Sequence, residues 1–179
     1  MKGKPLQCVS GDLCNRLIKE IDLLACRPIL KDAPKFKPHV TLLGGIELSK
    51  SRVLSLTSQL ASSLKPFPIV LDRVSSGSIF HQCVYVLCNE TAQLMQAGAE
   101  ARRAFEMHSI YMPHLSLLYS DVDPATRLEL MEEEQHRLFG DGSEKLEETA
   151  FMVDAIQVWY TPGEDKSLES WHCVAQYPL

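Results

Sequence analysis

The sequence predicts an α+β protein built as two similar lobes of antiparallel sheet flanked by helices. Three observations predict it: an eight-residue motif that occurs twice, a helical segment on either side of each copy, and strand-like runs between and after them. The motif reads Phe36-Lys37-Pro38-His39-Val40-Thr41-Leu42-Leu43 in its first copy and Tyr111-Met112-Pro113-His114-Leu115-Ser116-Leu117-Leu118 in its second. Position by position this is aromatic, variable, Pro, His, aliphatic, hydroxyl, Leu, Leu. The copies stand too far apart for a short-period solenoid and suit two duplicated lobes.

The elements follow in order. Asp12 caps a first helix through Leu24, in which Leu13, Leu17, Ile21 and Leu24 recur at helical spacing. Ser49 or a neighbour opens a second, with Val53, Leu56, Leu60 and Leu64 on one face. Between Ile69 and Cys88 the runs IVLDRVS and CVYVLC are rich in β-branched and aromatic residues, and Ser76-Gly77-Ser78 separates them as a hairpin would. Thr91 caps a third helix to about Phe105, and Asp123-Pro124 opens a fourth toward Leu138. The tail supplies two strands, Phe151 to Tyr160 and Trp171 to Tyr177, joined by Pro162-Gly163-Glu164-Asp165. Helices packed on antiparallel sheets follow. No Gly/Ser linker or low-complexity tract interrupts the 179 residues, so residues 1–179 read as a single bilobal domain.

Composition narrows the function. With 45% hydrophobic and 23% charged residues the chain has material for a sizeable core. No run approaches the roughly 18 apolar residues that span a bilayer, and the start MKGKPLQCVSGDLC lacks the apolar stretch of a secretory signal, so the expectation is a cytoplasmic protein without a membrane partner. A net charge of −5 argues against a surface that tracks long nucleic acid, because phosphate neutralisation dominates such binding. The six cysteines, Cys8, Cys14, Cys26, Cys83, Cys88 and Cys173, form no CxxC pair and read as free thiols. The run Glu132-Glu133-Glu134 and the later Glu144, Glu147 and Glu148 read as solvated surface.

The chemistry sits in the motif. Pro38 and Pro113 bias their predecessors toward extended backbone, and the aliphatic residues that follow suit strands. Side chains two apart on a strand share a face, so His39 projects with Thr41 and His114 with Ser116, while the aliphatic residues between face the core. Two such pairs brought together make a four-point site for a phosphate. Opening a cyclic phosphate with water needs a base behind the attacking oxygen and an acid behind the leaving oxygen. Imidazole, with an ordinary pKa of about 6.5, serves as either near neutral pH. Thr41 and Ser116 would hold the non-bridging oxygens. We write His114 as base and His39 as acid; the approximate symmetry leaves that division open. A lone His-x-Thr is a weak signal, and the second matched copy is what gives it weight. The other histidines have no repeated context, and of these only His81 lies on a segment that could approach the cleft. No carboxylate recurs at a fixed offset from either motif histidine and no HExxH occurs, so neither a metal nor another cofactor is expected. Tyr119 ends the second motif where the first has Gly44, and at the mouth of the site it would contact the substrate by stacking on a base or ribose.

At these residues the sequence resembles the two-histidine phosphoesterase superfamily, and within it the plant cyclic phosphodiesterases. The resemblance runs from about Phe36 to the C-terminus and takes in FKPHVTLL, YMPHLSLLY, LDRVSSGSIFHQCVYVLC and GEDKSLESWHCVA. It implies a bilobal LigT-like fold and hydrolysis of ADP-ribose 1″,2″-cyclic phosphate to ADP-ribose 1″-phosphate downstream of tRNA splicing. It further implies conversion of nucleoside 2′,3′-cyclic phosphates to 2′-phosphates, in both cases without a metal. His39 and His114 match the family's catalytic pair, Thr41 and Ser116 its phosphate-holding hydroxyls, and Tyr119 a ligand-contacting aromatic. The sequence departs from the family in having no aromatic residue from Met1 to Ser10, and its cysteines do not match the family's pairs. The expected partner is a small nucleotide cyclic phosphate, and the expected state is a monomer. The other readings are an RNA-end phosphodiesterase or 2′–5′ RNA ligase-like enzyme of the same superfamily, and a non-catalytic nucleotide-binding module.

Overall fold

The computed structural model describes residues 2–8, 11–30 and 33–179, with the first of these stretches described through its backbone pairing. Its elements, in order, are β1 (Lys2–Cys8), α1 (Gly11–Ala25), β2 (His39–Thr41), β3 (Ile46–Glu47), α2 (Lys50–Ser63), β4 (Phe67–Ser76), β5 (Val84–Cys88), α3 (Ala92–Ala104), β6 (His114–Leu118), α4 (Pro124–Phe139), β7 (Ala150–Val153), β8 (Ala155–Tyr160) and β9 (His172–Pro178). A single 3-10 turn, Phe80–Gln82, lies between β4 and β5.

The caps that the sequence marks start three of the helices. Ser49 accepts from the Arg52 amide, Thr91 from the Leu94 amide, and the Asp123 carboxylate from the amides of Ala125 and Thr126 with Pro124 in the first turn. Asp12 instead lies inside the first turn of α1, which begins at Gly11. Leu13, Leu17, Ile21 and Leu24 all point into the core, as their spacing requires.

The strands run in the order β7-β4-β5-β6-β2-β1-β8-β9, with β3 off this path on β1. All pairings are antiparallel. The order is symmetric about the seam between β6 and β2: β5 answers β1, β4 answers β8, and β7 answers β9. One lobe is β7-β4-β5-β6 and the other is β2-β1-β8-β9, as the duplicated motif predicts. Helix α4 packs on β4 and β5, α2 on β8 and β9, and α1 on β6.

Two readings of the sequence are corrected. The run Phe151 to Tyr160 is not one strand. Asp154 divides it, β7 pairing with β4 in one lobe and β8 with β1 and β9 in the other. Strand propensity is continuous across FMVDAIQVWY, and only the change of sheet partner breaks it. Glu134, read as solvated surface, is fully buried. It stands one turn from Leu130 and one from Leu138, on the buried stripe of α4, and its charge is met by Arg137 at 2.9 Å and Arg27 at 3.8 Å. Arg137 also reaches Glu20 of α1 at 2.8 Å, a second fully buried carboxylate that pairs with Arg16 as well.

Among the described residues, Cys14, Cys26, Cys83, Cys88 and Cys173 are free thiols; the Cys8 side chain lies outside them. No helix among them is long and apolar enough to cross a membrane.

Candidate active site

The seam brings the two motifs together. β2 and β6 pair with Val40 opposite Leu115. In that register His39 stands across from Ser116, and His114 across from Thr41. On one face the four polar side chains form a square with an imidazole and a hydroxyl on each strand, alike when turned by half a revolution. On the other face Val40, Leu115 and Leu117 are completely buried in the core. Each motif alone could be a structural histidine on a strand. The register makes them one site.

The two imidazoles are held alike. His39 Nδ1 lies 2.7 Å from the Lys37 carbonyl oxygen, and His114 Nδ1 lies 2.9 Å from that of Met112. A carbonyl can only accept, so in both rings Nδ1 carries the proton and Nε2 is the nitrogen left for chemistry. His172, also opening a strand, makes the same local bond to Ser170. The tautomer lock is therefore a property of a histidine at a strand start, and the pairing across the seam is what sets His39 and His114 apart.

The Tyr119 hydroxyl lies 3.4 Å from His39 Nε2. The sequence placed this ring at the mouth as a stacking platform. Here it is only 2% exposed, and one face is covered by Phe36, stacked at a centroid distance of 4.0 Å. Burial pushes its phenol well above the ordinary range, so it stays neutral; its hydroxyl donates to Nε2 of a neutral His39 and accepts from Nε2 of the imidazolium. Ser116 donates to the His81 carbonyl at 3.1 Å, which brings the 3-10 turn into the cleft. The His81 ring in turn stacks with Trp171 at 5.6 Å and meets Tyr119 edge-on at 5.0 Å. On the other side Tyr85, opposite Ser116 on β5, leans on the His114 ring at 5.1 Å.

A cavity of about 280 Å3 opens beside three corners of the square, Thr41, His114 and Ser116, and is bounded by Gly44, Arg102 and Tyr119 among others. A second, of about 210 Å3, lies beside His39. Among the described residues no carboxylate lines either one, whereas Arg102 faces the first, and Lys37 and Lys35, the latter paired with Asp22 at 3.4 Å, face the second. In a chain of net charge −5 this selects for an anion. Among the described residues no cluster of three or more His, Cys, Asp or Glu is arranged to hold a metal ion.

Of the five predicted site residues, Thr41, His114, Ser116 and Tyr119 line the first cavity and His39 lines the second, joined to the others by the strand register and by the Tyr119 hydroxyl. Sequence reasoning undervalued His81 and missed Phe36, Tyr85, Arg102 and Trp171. Phe36 had a signal, since it stands three residues before His39 as Tyr111 does before His114. Arg102 and Tyr85 had none, because neither belongs to the repeated motif.

Residues 10–165 match the model of the 2′-5′ RNA ligase superfamily. The chain belongs to that superfamily. A curated relative, the cyclic phosphodiesterase of Arabidopsis thaliana, is 33% identical over 144 residues, covering 79% of this chain and 77% of the relative. Solved structures share the fold at low identity. TT0787 of Thermus thermophilus superposes with a TM-score of 0.66 at 12% identity, over 100% of this chain and 98% of that one. LigT of E. coli complexed with 3′-AMP gives 0.61 at 15%, over 99% and 98%. This 2′-5′ RNA ligase superfamily is that of the two-histidine phosphoesterases, and the chain is a phosphodiesterase of that class with the LigT-like α+β fold.

Proposed function

We propose that the chain hydrolyses nucleotide cyclic phosphates without a metal: ADP-ribose 1″,2″-cyclic phosphate to ADP-ribose 1″-phosphate, and nucleoside 2′,3′-cyclic phosphates to 2′-phosphates, downstream of tRNA splicing. The observation that carries this reading is the seam register, which sets His39 across from Ser116 and His114 across from Thr41. The named Arabidopsis relative supports the cyclic-ester substrate.

In this mechanism water attacks phosphorus from the side of one imidazole, which takes a water proton on Nε2. The P–O bond to the 2″-oxygen, or to the 3′-oxygen of a nucleoside substrate, breaks, and the opposite imidazolium gives that oxygen its proton. One water is consumed and one diester becomes a monoester. The Thr41 hydroxyl donates to a non-bridging oxygen, where charge grows, and that of Ser116 does so by turning from the His81 carbonyl to the phosphate. The Tyr119 hydroxyl touches the site through His39 Nε2, so its contribution is polar and not a stacking face.

The test is a product assay on ADP-ribose 1″,2″-cyclic phosphate, 2′,3′-cyclic AMP and a cyclic-phosphate-ended RNA, each with a chelator present. Turnover of the first two is expected. His39→Ala or His114→Ala should each cut kcat by about 10²–10⁴-fold with the circular dichroism spectrum unchanged, the span of one proton transfer. Full activity in the double variant would sink the mechanism. Preference for the RNA would favour the RNA-end enzyme, and binding without turnover a nucleotide-binding module.

A further inference from the structure

With one face of Tyr119 covered by Phe36, a planar group entering the cleft needs another aromatic surface. The cavity beside His39 has one. Its walls are Phe36, Trp159, Leu168 and Trp171, and Lys35 and Lys37 stand at its rim. At about 210 Å3 it falls below the roughly 300–1,000 Å3 of pockets that enclose a whole drug-sized molecule, so it suits one end of a ligand.

The backbone register puts Trp159 on the catalytic face. Leu6 of β1 is paired with Thr41 on one side and Gln157 on the other, which aligns Thr41 and Gln157 across the sheet. Trp159, two residues on, shares that face, and its indole N–H donates to the Gln157 side chain at 2.9 Å. Trp171 is fixed separately. The Asp165 carboxylate accepts from the amides of Ser167, Leu168 and Ser170 at 2.9–3.1 Å, and Leu168 adopts a left-handed φ of 64°. From that turn the Trp171 amide donates to the Leu168 carbonyl at 2.9 Å, and its ring lies against His81. Two indoles from separate elements therefore converge beside a catalytic imidazole, with cations at the edge.

We infer that this pocket receives the nucleobase of the substrate, and that Trp159 is a specificity-determining residue which serves as a base platform in a chain whose first ten residues hold no aromatic. The inference rests on the square as the cyclic phosphate site. A base stacked on the indole would fill the cavity beside His39, a cyclic phosphate would sit at the square, and Lys37 would face any phosphates between them.

The two tryptophans of the sequence both line this pocket, so intrinsic fluorescence reports on it directly. Adenosine 2′-monophosphate should quench it saturably, and ribose 5-phosphate, which has no base, should not. Trp159→Leu keeps apolar bulk without a π-face. It should weaken adenosine 2′-monophosphate binding and raise KM for 2′,3′-cyclic AMP roughly tenfold, within what one base–aromatic stack supplies, with kcat within about twofold. Trp159→Tyr should restore most of the loss. On a base-free ribose cyclic phosphate Trp159→Leu should match the parent. Equal quenching by both ligands, or an equal loss on both substrates, would overturn the assignment. If the parent turns over no cyclic phosphate, the proposed reaction fails while the titration still decides the base site.

Discussion

The Tyr119 hydroxyl, 3.4 Å from His39 Nε2, ties a buried phenol to the nitrogen we propose moves a proton. Tyr119→Phe removes only the oxygen and leaves the ring on Phe36. We expect kcat to fall about three- to tenfold, the worth of one net hydrogen bond, with the thermal midpoint nearly unchanged. An unaltered kcat would take the hydroxyl out of the reaction. Thr41→Ala and Ser116→Ala should each lower kcat by about 10²-fold as an oxygen-stabilising donor is lost, and Thr41→Ser should recover most of it. Equal rates in Thr41→Ala and the parent would remove that donor from the square. These residues were legible because strand alternation turns His-x-Thr into a shared face. The job of Tyr119 was not, because its partner Phe36 comes from the other copy of the motif. The aromatic that opens each copy even serves differently: Phe36 stacks on Tyr119, whereas Tyr111 packs on α3.

That packing decides how α3 supports the site. At Gly98 an added methyl would lie 2.4 Å from the Tyr111 ring, so helix or ring must shift. Tyr111 stands three residues before His114. Gly98→Ala should therefore cost about 1–3 kcal/mol by urea denaturation, as overpacking does, and lower activity as well. Stability equal to the parent would mean that Tyr111 swings aside freely. The helices themselves were readable, since Ser49, Thr91 and Asp123 announce their own caps. The division at Asp154 was not, because no local preference separates β7 from β8; each is defined by the lobe it joins.

Across the molecule, α1 and α4 are joined by the buried cluster of Glu20, Arg137 and Glu134, with Arg16 and Arg27 beside it and Glu133 and Glu144 at its exposed edge. Burial pushes the Glu134 carboxyl up to about 7 from the ordinary 4.5, against the pull of Arg137. Between those values the native chain keeps a proton that the unfolded chain has released. The stability this supplies is full below about 4.5 and is lost as the pH rises through about 7. We expect a decline of about 2 kcal/mol between pH 5 and 8, followed by chemical denaturation, and its absence in Glu134→Gln. The same decline in the variant would assign it to other groups. The symmetry of the two lobes was visible in the repeated motif; this cluster was hidden because a run of acids looks like surface until helical period is applied to each member.

The palindromic strand order also sets a timetable for synthesis. The lobe of β4, β5, β6 and β7 is one unbroken stretch of chain and can close its sheet as soon as it leaves the ribosome. The other lobe cannot. Its β1 and β2 emerge first, yet β1 waits for β8, nearly the last strand made, to cover its outer edge. Long-range pairing of this kind is slow and leaves a strand open to wrong partners meanwhile. His39 belongs to the waiting lobe and His114 to the early one, so the strand that carries His39 meets β6 before the β1 beside it has its outer neighbour β8.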